Sequence, residues 1–276
     1  MGLYTFRGGP EEVGRAQGSV DPVCVQEKLG FWMERPHNLE NPYFRKNMAF
    51  MRREFPDFME QLEAYGAAAG ISDLDLTYYL HLINTGPEEK GCSAFGLLLT
   101  DDGPALVRTN DGPHPGKPVE QMKVEQKNDY HLATFPDLKP HGFLGVWSVY
   151  RLTVSTSVND AGLMIGGASG HPKFHWPDNP EHVNLYFTLG LLTQHCADCD
   201  DVRHFLRQYR ISGVKGITCT AVDARGNILG CELESENVAF REPEDGMLLE
   251  VNHWQHPDLQ DPARSARPDF WKRDYY

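Results

Sequence analysis

The stretch Gly91-Cys92-Ser93-Ala94-Phe95-Gly96-Leu97-Leu98-Leu99-Thr100-Asp101-Asp102-Gly103-Pro104-Ala105-Leu106-Val107-Arg108-Thr109-Asn110-Asp111 reads as a β-hairpin. Its arms, 92–99 and 105–110, are strand-like, and the residues between them, Asp101-Asp102-Gly103-Pro104, are of turn-forming types. A turn centred on 101–104 sets Cys92 opposite residues 111–113. Asp111 then comes within a residue or two of Cys92, with Arg108 one step further along. Positions 108 and 111 differ by three, so a regular strand would point them to opposite faces. Both reach the thiol only if the strand is bulged or ending there. A polar breaker loop, Thr85-Gly86-Pro87-Glu88-Glu89-Lys90-Gly91, precedes the hairpin.

These residue types suit nucleophilic chemistry. A free thiol, with a pKa near ~8.5, is a weak nucleophile at neutral pH until a base or a cation favours its anion. A nearby guanidinium does so. Were Cys92 a chain terminus, its own α-amine could serve as the base, and Asp111 could hold that amine. Gly91 has no Cβ and lets the thiol approach its carbonyl, so an N→S acyl shift followed by hydrolysis would free the amine. The plainer reading is a small buried cysteine beside a surface ion pair.

The rest of the chain supplies helices and further hairpins. Residues 2–8 read as a short strand, and 11–20 and 23–33 as short helices. Apolar residues from Phe44 to Tyr65 recur near helical spacing, and Pro56 divides the stretch. A further helix is predicted over 74–83. Strands are predicted within 141–158, at 163–167 after the turn Asn159-Asp160-Ala161-Gly162, and at 247–252. A hairpin pairs 216–222 with 228–234 across Asp223-Ala224-Arg225-Gly226-Asn227. Helices cover 183–195 and 199–210. Hairpins interleaved with helices make an α+β chain, with two sheets packed between helical layers as one option. The helical block before Gly91 is apolar on one face and is expected to pack on the remainder.

Of the 276 residues, 40% are hydrophobic and 24% charged, as in ordinary globular proteins. The net charge of −13 and the lack of a basic run argue against nucleic acid or an anionic membrane as the main partner. The N-terminus has no apolar signal core, and no run reaches the ~20 apolar residues of a membrane span. A cytoplasmic location is the expectation. Six cysteines in a chain this long do not form a disulfide framework.

Taken in order, several segments resemble one family. Gly91-Cys92-Ser93 with Arg108-Thr109-Asn110-Asp111 resembles the nucleophile hairpin of the N-terminal-nucleophile (Ntn) hydrolases, as in choloylglycine hydrolases and penicillin V acylases. Phe6 to Arg15 with Gly18, Val158 to Leu163, Thr218 to Glu234, and Val251-Asn252-His253 resemble the signatures of the acyl-coenzyme A:6-aminopenicillanic acid acyltransferase (peptidase C45-like) branch. The resemblance implies a four-layer αββα sandwich. It implies self-cleavage at Gly91–Cys92 into a pro-segment, 1–91, that stays bound to a catalytic region, 92–276. By matched position Cys92 is the nucleophile, Asp111 orients its freed amine, Arg108 is the cation at the sulfur, and Asn252 donates to the oxyanion. The position of a second asparagine in the bile-salt branch falls near Ser169, where a backbone amide would substitute. The family continues beyond the Asn-His signature, so the C-terminal region is expected to be shortened. Ser265-Ala266-Arg267 only faintly echoes a late motif.

The implied reaction is attack by Cys92 on an amide carbonyl to give a thioester, resolved by water or by an amine. The partner is then a small-molecule amide or acyl donor; homo-oligomerisation is left open. Alternatives are a non-processing homologue that uses the fold for binding, and a zinc enzyme built on His195-Cys196-Ala197-Asp198-Cys199 and His204. The loop Gly170 to Pro177, with Phe174, His175 and Trp176, is a candidate pocket wall together with Ser169. The glycine-rich run 166–170 follows no nucleotide-binding pattern, so the sequence implies no cofactor.

Overall fold

The structure is a computed structural model and describes residues 2–26, 42–71, 90–99, 103–113, 130–170, 179–212, 216–234 and 237–260. The elements in chain order are β1 (Leu3–Thr5), α1 (Pro10–Gly18), α2 (Pro42–Glu54), α3 (Pro56–Ala68), β2 (Lys90–Leu99), β3 (Gly103–Pro113) and β4 (Tyr130–Phe135). There follow β5 (Phe143–Ser148), β6 (Val154–Asn159), β7 (Met164–Ser169), β8 (Val183–Asn184), α4 (Leu185–His195) and α5 (Cys199–Gln208). The last are β9 (Ile211–Ser212), β10 (Ile217–Val222), β11 (Ile228–Glu234), β12 (Asn237–Arg241) and β13 (Met247–Glu250).

Eight strands form one sheet in the order β1-β4-β5-β6-β7-β10-β11-β12. A second sheet has the order β13-β2-β3. The two sheets face each other, and β7 shows how. A Cβ on Gly166 would meet Leu106 and Ala94 of the small sheet, whereas one on Gly167 would meet Leu189 of α4. Adjacent strand residues point to opposite faces, so the small sheet and the helices cover opposite sides of the large one. At Gly96 of β2 a Cβ would lie 2.6 Å from Ile228, so the sheets approach closely there because no side chain separates them.

The helical face is one apolar mass. Phe58 of α3 packs on Phe187 of α4 with centroids 4.8 Å apart, and Tyr65 donates its hydroxyl to the carbonyl of Val149 at 2.8 Å. Pro56 divides the helical stretch into α2 and α3, since it cannot donate the backbone bond that a continuous helix needs. Helix α1 lies directly on α3: a Cβ on Gly14 would sit 2.1 Å from the Gln61 carbonyl oxygen, and one on Gly18 2.2 Å from that of Tyr65. Beside this seam, Gln17 accepts from Gln61 at 2.6 Å and donates to the Leu152 carbonyl. The Gly14 and Gly18 signature is therefore a packing feature.

The turn motifs also have local causes. The side-chain Oδ1 of Asn159 accepts from the backbone amides of Ala161 and Leu163, and its Nδ2 donates to the carbonyls of Thr193 and Cys196. It closes the β6–β7 turn and fastens it to the end of α4. Asp223 accepts from the amides of Arg225, Asn227 and Cys199, which holds the β10–β11 turn to the start of α5. These bonds keep its carboxyl below the usual carboxylate range despite burial, the largest single influence.

The mixed α+β architecture agrees with the sequence reading. Among the described residues three layers are present: helices, large sheet and small sheet. Strands β4, β8, β9 and β12 were not anticipated; Val183–Asn184, read as the start of a helix, pairs instead with Ile211–Ser212. The helix predicted at 74–83 lies outside the described residues, as does most of that predicted at 23–33; residues 23–26 of it are helical. No helix among the described residues is long and apolar enough to cross a membrane.

Candidate active site

Cys92 lies in β2 and shares its inward face with Ala94 and Gly96, all buried. It pairs with Asn110 of β3, one residue short of the predicted range 111–113. The difference comes from the turn. Gly103 has φ +86°, which a glycine adopts without strain, and pairs with Leu99, so it belongs to the strand and the loop is shorter than expected. Beyond Cys92 the ladder shifts. Lys90 pairs with Pro113, so Asp111 and Gly112 together stand opposite Gly91. This is the β-bulge that the parity of 108 and 111 required, and the Gly91–Cys92 bond lies on it. The side chain of Asp111 lies outside the described structure.

Two polar side chains converge on Cys92. Arg108, paired with Ala94 and so diagonal to Cys92, donates from Nη2 to Sγ at 3.5 Å and from Nε to the Gly167 carbonyl oxygen at 2.6 Å. The second bond aims the guanidinium and ties the small sheet to β7. From beyond β13, Asn252 accepts the backbone N–H of Cys92 on Oδ1 at 2.7 Å. That donor fixes the orientation of the amide, with Nδ2 turned away from the Cys92 nitrogen. Cys92 is 5% exposed and Asn252 is 8% exposed, so the contacts are shielded from water.

Asn252 is held from both sides. β13 pairs with β2 up to Glu250 opposite Ala94, and the Thr218 hydroxyl donates to the Val251 carbonyl at 2.9 Å. After Asn252, the amides of Gln255 and His256 both donate to the buried Glu232 carboxylate at 2.9–3.1 Å. Arg241 lies between Glu232 and Glu250, bonding Glu250 at 3.1 Å. One guanidinium thus faces two buried carboxylates. Burial first, and Glu232 second, push Glu250 up to about 8 despite the Arg241 bond. Oε2 of Glu250 is buried without a hydrogen-bond partner among the described residues, which a negative charge would make costly.

The remaining candidates divide. The backbone of Ser169 ends β7 and pairs with Ile217; its side chain lies outside the described structure. Phe174, His175 and Trp176 lie outside the described residues. Cys196 and Cys199 are buried thiols. Burial pushes both up, Cys199 to about 12, and Cys199 Sγ contacts the carbonyl oxygens of Ala221 and Asn227. Among the described residues no three His, Cys, Asp or Glu side chains gather as a metal would require. Sequence reasoning missed Thr218, Glu232 and the Gly167 carbonyl. Glu232 left a signal, since it and Glu234 are acids in a strand that is otherwise apolar.

Residues 98–274, more than half of the chain, match the family model described as acyl-coenzyme A:6-aminopenicillanic acid acyl-transferase. The chain belongs to this family. The family match spans Arg108, Asp111 and Asn252 and begins after Cys92. No curated protein matches. Among solved structures, a mutant conjugated bile acid hydrolase from Clostridium perfringens is similar at 16% identity, with TM-score 0.40, over 60% of this chain and 54% of that one. Penicillin V acylase from Agrobacterium tumefaciens is similar at 11% identity, with TM-score 0.34, over 66% and 49%. The chain spans about half the length of these structures.

Proposed function

We propose that the protein is a self-processing cysteine amidohydrolase or acyltransferase of the Ntn type, with Cys92 as nucleophile. The observation that carries this reading is the convergence of Arg108 on Sγ and Asn252 on the backbone nitrogen of the same residue, at 3.5 and 2.7 Å. A structural cysteine needs neither.

Processing begins with attack of Sγ on the Gly91 carbonyl carbon. The Gly91–Cys92 C–N bond breaks, a thioester forms, and the released nitrogen takes a proton. Water then cleaves the thioester, leaving the Gly91 carboxylate, the free thiol and the α-amine. Asn252 Oδ1, which accepts the peptide N–H beforehand, accepts from the amine afterwards, and Asp111 orients that amine. In turnover the amine takes the thiol proton, and Arg108 stabilises the sulfur anion. Sulfur attacks the substrate amide carbonyl, with the Asn252 Nδ2 group donating to the oxyanion. The leaving amine takes a proton from the enzyme's α-amine, and water or an acceptor amine resolves the thioester. Residues 1–91 stay bound through β1, which pairs with β4, and through α3, whose Phe58 packs on Phe187 and whose Tyr65 donates to the Val149 carbonyl.

Alkylation tests the assignment. In processed protein, iodoacetamide labels Cys92 ahead of the other five cysteines, and chelators leave activity intact. An inert Cys92, with labelling at Cys196 or Cys199 only after metal removal, would replace this reading with the zinc alternative.

A further inference from the structure

The segment that carries Asn252 is gripped on both sides by two buried carboxyls that share one guanidinium. Glu250 precedes Asn252 by two residues in extended chain and so shares its face. That face is turned to the large sheet: Glu250 pairs with Ala94, and a Cβ on Gly230 of β11 would collide with Glu250 Oε1. Glu232, two residues further along β11, points from the same face and accepts the amides of Gln255 and His256. Arg241 of β12 spans the two. Its Nη1 donates to Glu250 Oε1 at 3.1 Å and to the Leu249 carbonyl at 3.0 Å, and its Nε stands 3.8 Å from Glu232.

We propose that this cluster positions Asn252 against Cys92, and does so only while Glu250 carries a proton. That Asn252 serves a reaction rests on the reading of Cys92 as nucleophile; the grip itself does not. Three observations support the proposal. First, both carboxyls are 0% exposed and one guanidinium faces them. Two buried anions against one cation would leave net charge out of water, and a carboxyl so placed keeps its proton. Second, the donors are unequal. Glu232 has two backbone amides as well as Arg241, whereas Glu250 has Arg241, and its Oε2 has no hydrogen-bond partner among the described residues. The charge therefore belongs on Glu232 and the proton on Glu250.

Third, the neighbouring elements bring no second cation to Glu250 among the described residues. Arg108 lies in the same row but two strands away, across Ala94, and is engaged with Cys92 Sγ and the Gly167 carbonyl. Burial holds His253 below the ordinary histidine range, so it is neutral at and above neutral pH. Glu234 adds a further acid on the same face of β11, and burial pushes the Cys231 thiol, on the opposite face, well up. From β10 come the uncharged hydroxyls of Thr218 and Thr220. Ionisation of Glu250 then sets it against Glu232. The strain falls on the segment that both hold, and the Asn252 contact to the Cys92 nitrogen loosens as pH rises through about 8.

NMR on the full chain carrying Cys92→Ala tests this, since that chain has neither a thiol nor a freed amine at position 92 to titrate. The probes are the backbone amide of residue 92 and the side-chain amide of Asn252. Both should shift together with a midpoint near about 8. Glu250→Gln should abolish that titration. Glu232→Gln should move the midpoint down by removing a like charge, Arg241→Met should move it up by removing the cation, and Arg241→Lys should restore most of it. Probes that do not titrate between neutral and mildly alkaline pH, that titrate unchanged in Glu250→Gln, or whose midpoint ignores Glu232→Gln would overturn the proposal. In processed protein, kcat for para-nitrophenyl acetate should fall through the same midpoint with KM little changed, and Glu250→Gln should lose that fall. The α-amine of Cys92 titrates in both proteins and cancels in the comparison, so an equal fall in the variant would overturn the positioning role. Iodoacetamide separates the two readings. Coupled titration with an inert Cys92 upholds the grip and removes the chemistry; a labelled Cys92 without the titration does the reverse.

Discussion

At the scale of single residues, Cys92 is defined by what touches it. Arg108 supplies charge at the sulfur, and Asn252 holds the nitrogen. In the proposed mechanism Arg108 stabilises the sulfur anion and Asp111 orients the amine, so Arg108→Ala and Asp111→Asn should each slow processing or turnover by orders of magnitude, with near-normal unfolding transitions. Asn252→Ala should lower kcat by about 10²-fold or more, because it removes a donor to developing charge. An effect confined to KM would reassign Asn252 to ground-state binding. The sequence announced Cys92, Arg108 and Asn252 by spacing and by family likeness. It did not announce the Gly167 carbonyl or Thr218, because a backbone acceptor and a strand threonine carry no signature until the chain has folded around them.

At the scale of elements, two packing features lend themselves to measurement. The α1–α3 seam depends on Gly14, where any Cβ collides with the Gln61 carbonyl. Gly14→Val should cost about 2 to 3 kcal/mol in urea unfolding, as overpacking of a rigid contact does. An unchanged midpoint would mean that the helices separate freely. The Glu232–Arg241–Glu250 cluster beside Asn252 predicts a pH dependence. Glu250 is raised from 4.5 to about 8, so the fold keeps its proton while the unfolded chain loses it. Its contribution to stability is full below about 4.5 and is lost as pH rises through about 8. Glu250→Gln should flatten the decline in stability between these values, seen as denaturant midpoints across pH. An equally steep decline in the variant would show that Glu250 is ionised in the fold. The hairpin register was legible to within a residue, and the error lay in the turn. Composition marked Asp101-Asp102-Gly103-Pro104 as the loop, whereas the positive φ of Gly103 draws it and Pro104 into β3.

At the scale of the molecule, the alternation of helices and hairpins was enough to give an α+β fold. Strands β4 and β12 escaped notice because their partners, β1 with β5 and β11, are remote or already committed to a hairpin; pairing decided them more than local pattern. The central claim is that the chain cuts itself at Gly91–Cys92 to create its catalytic amine. Intact-mass analysis under denaturing conditions tests it directly. Self-cleavage yields two polypeptides, residues 1–91 and 92–276, that co-purify under native conditions, whereas Cys92→Ala should remain a single chain of about 31.2 kDa. A single full-length chain for the wild type, or cleavage at the same bond in Cys92→Ala, would contradict it.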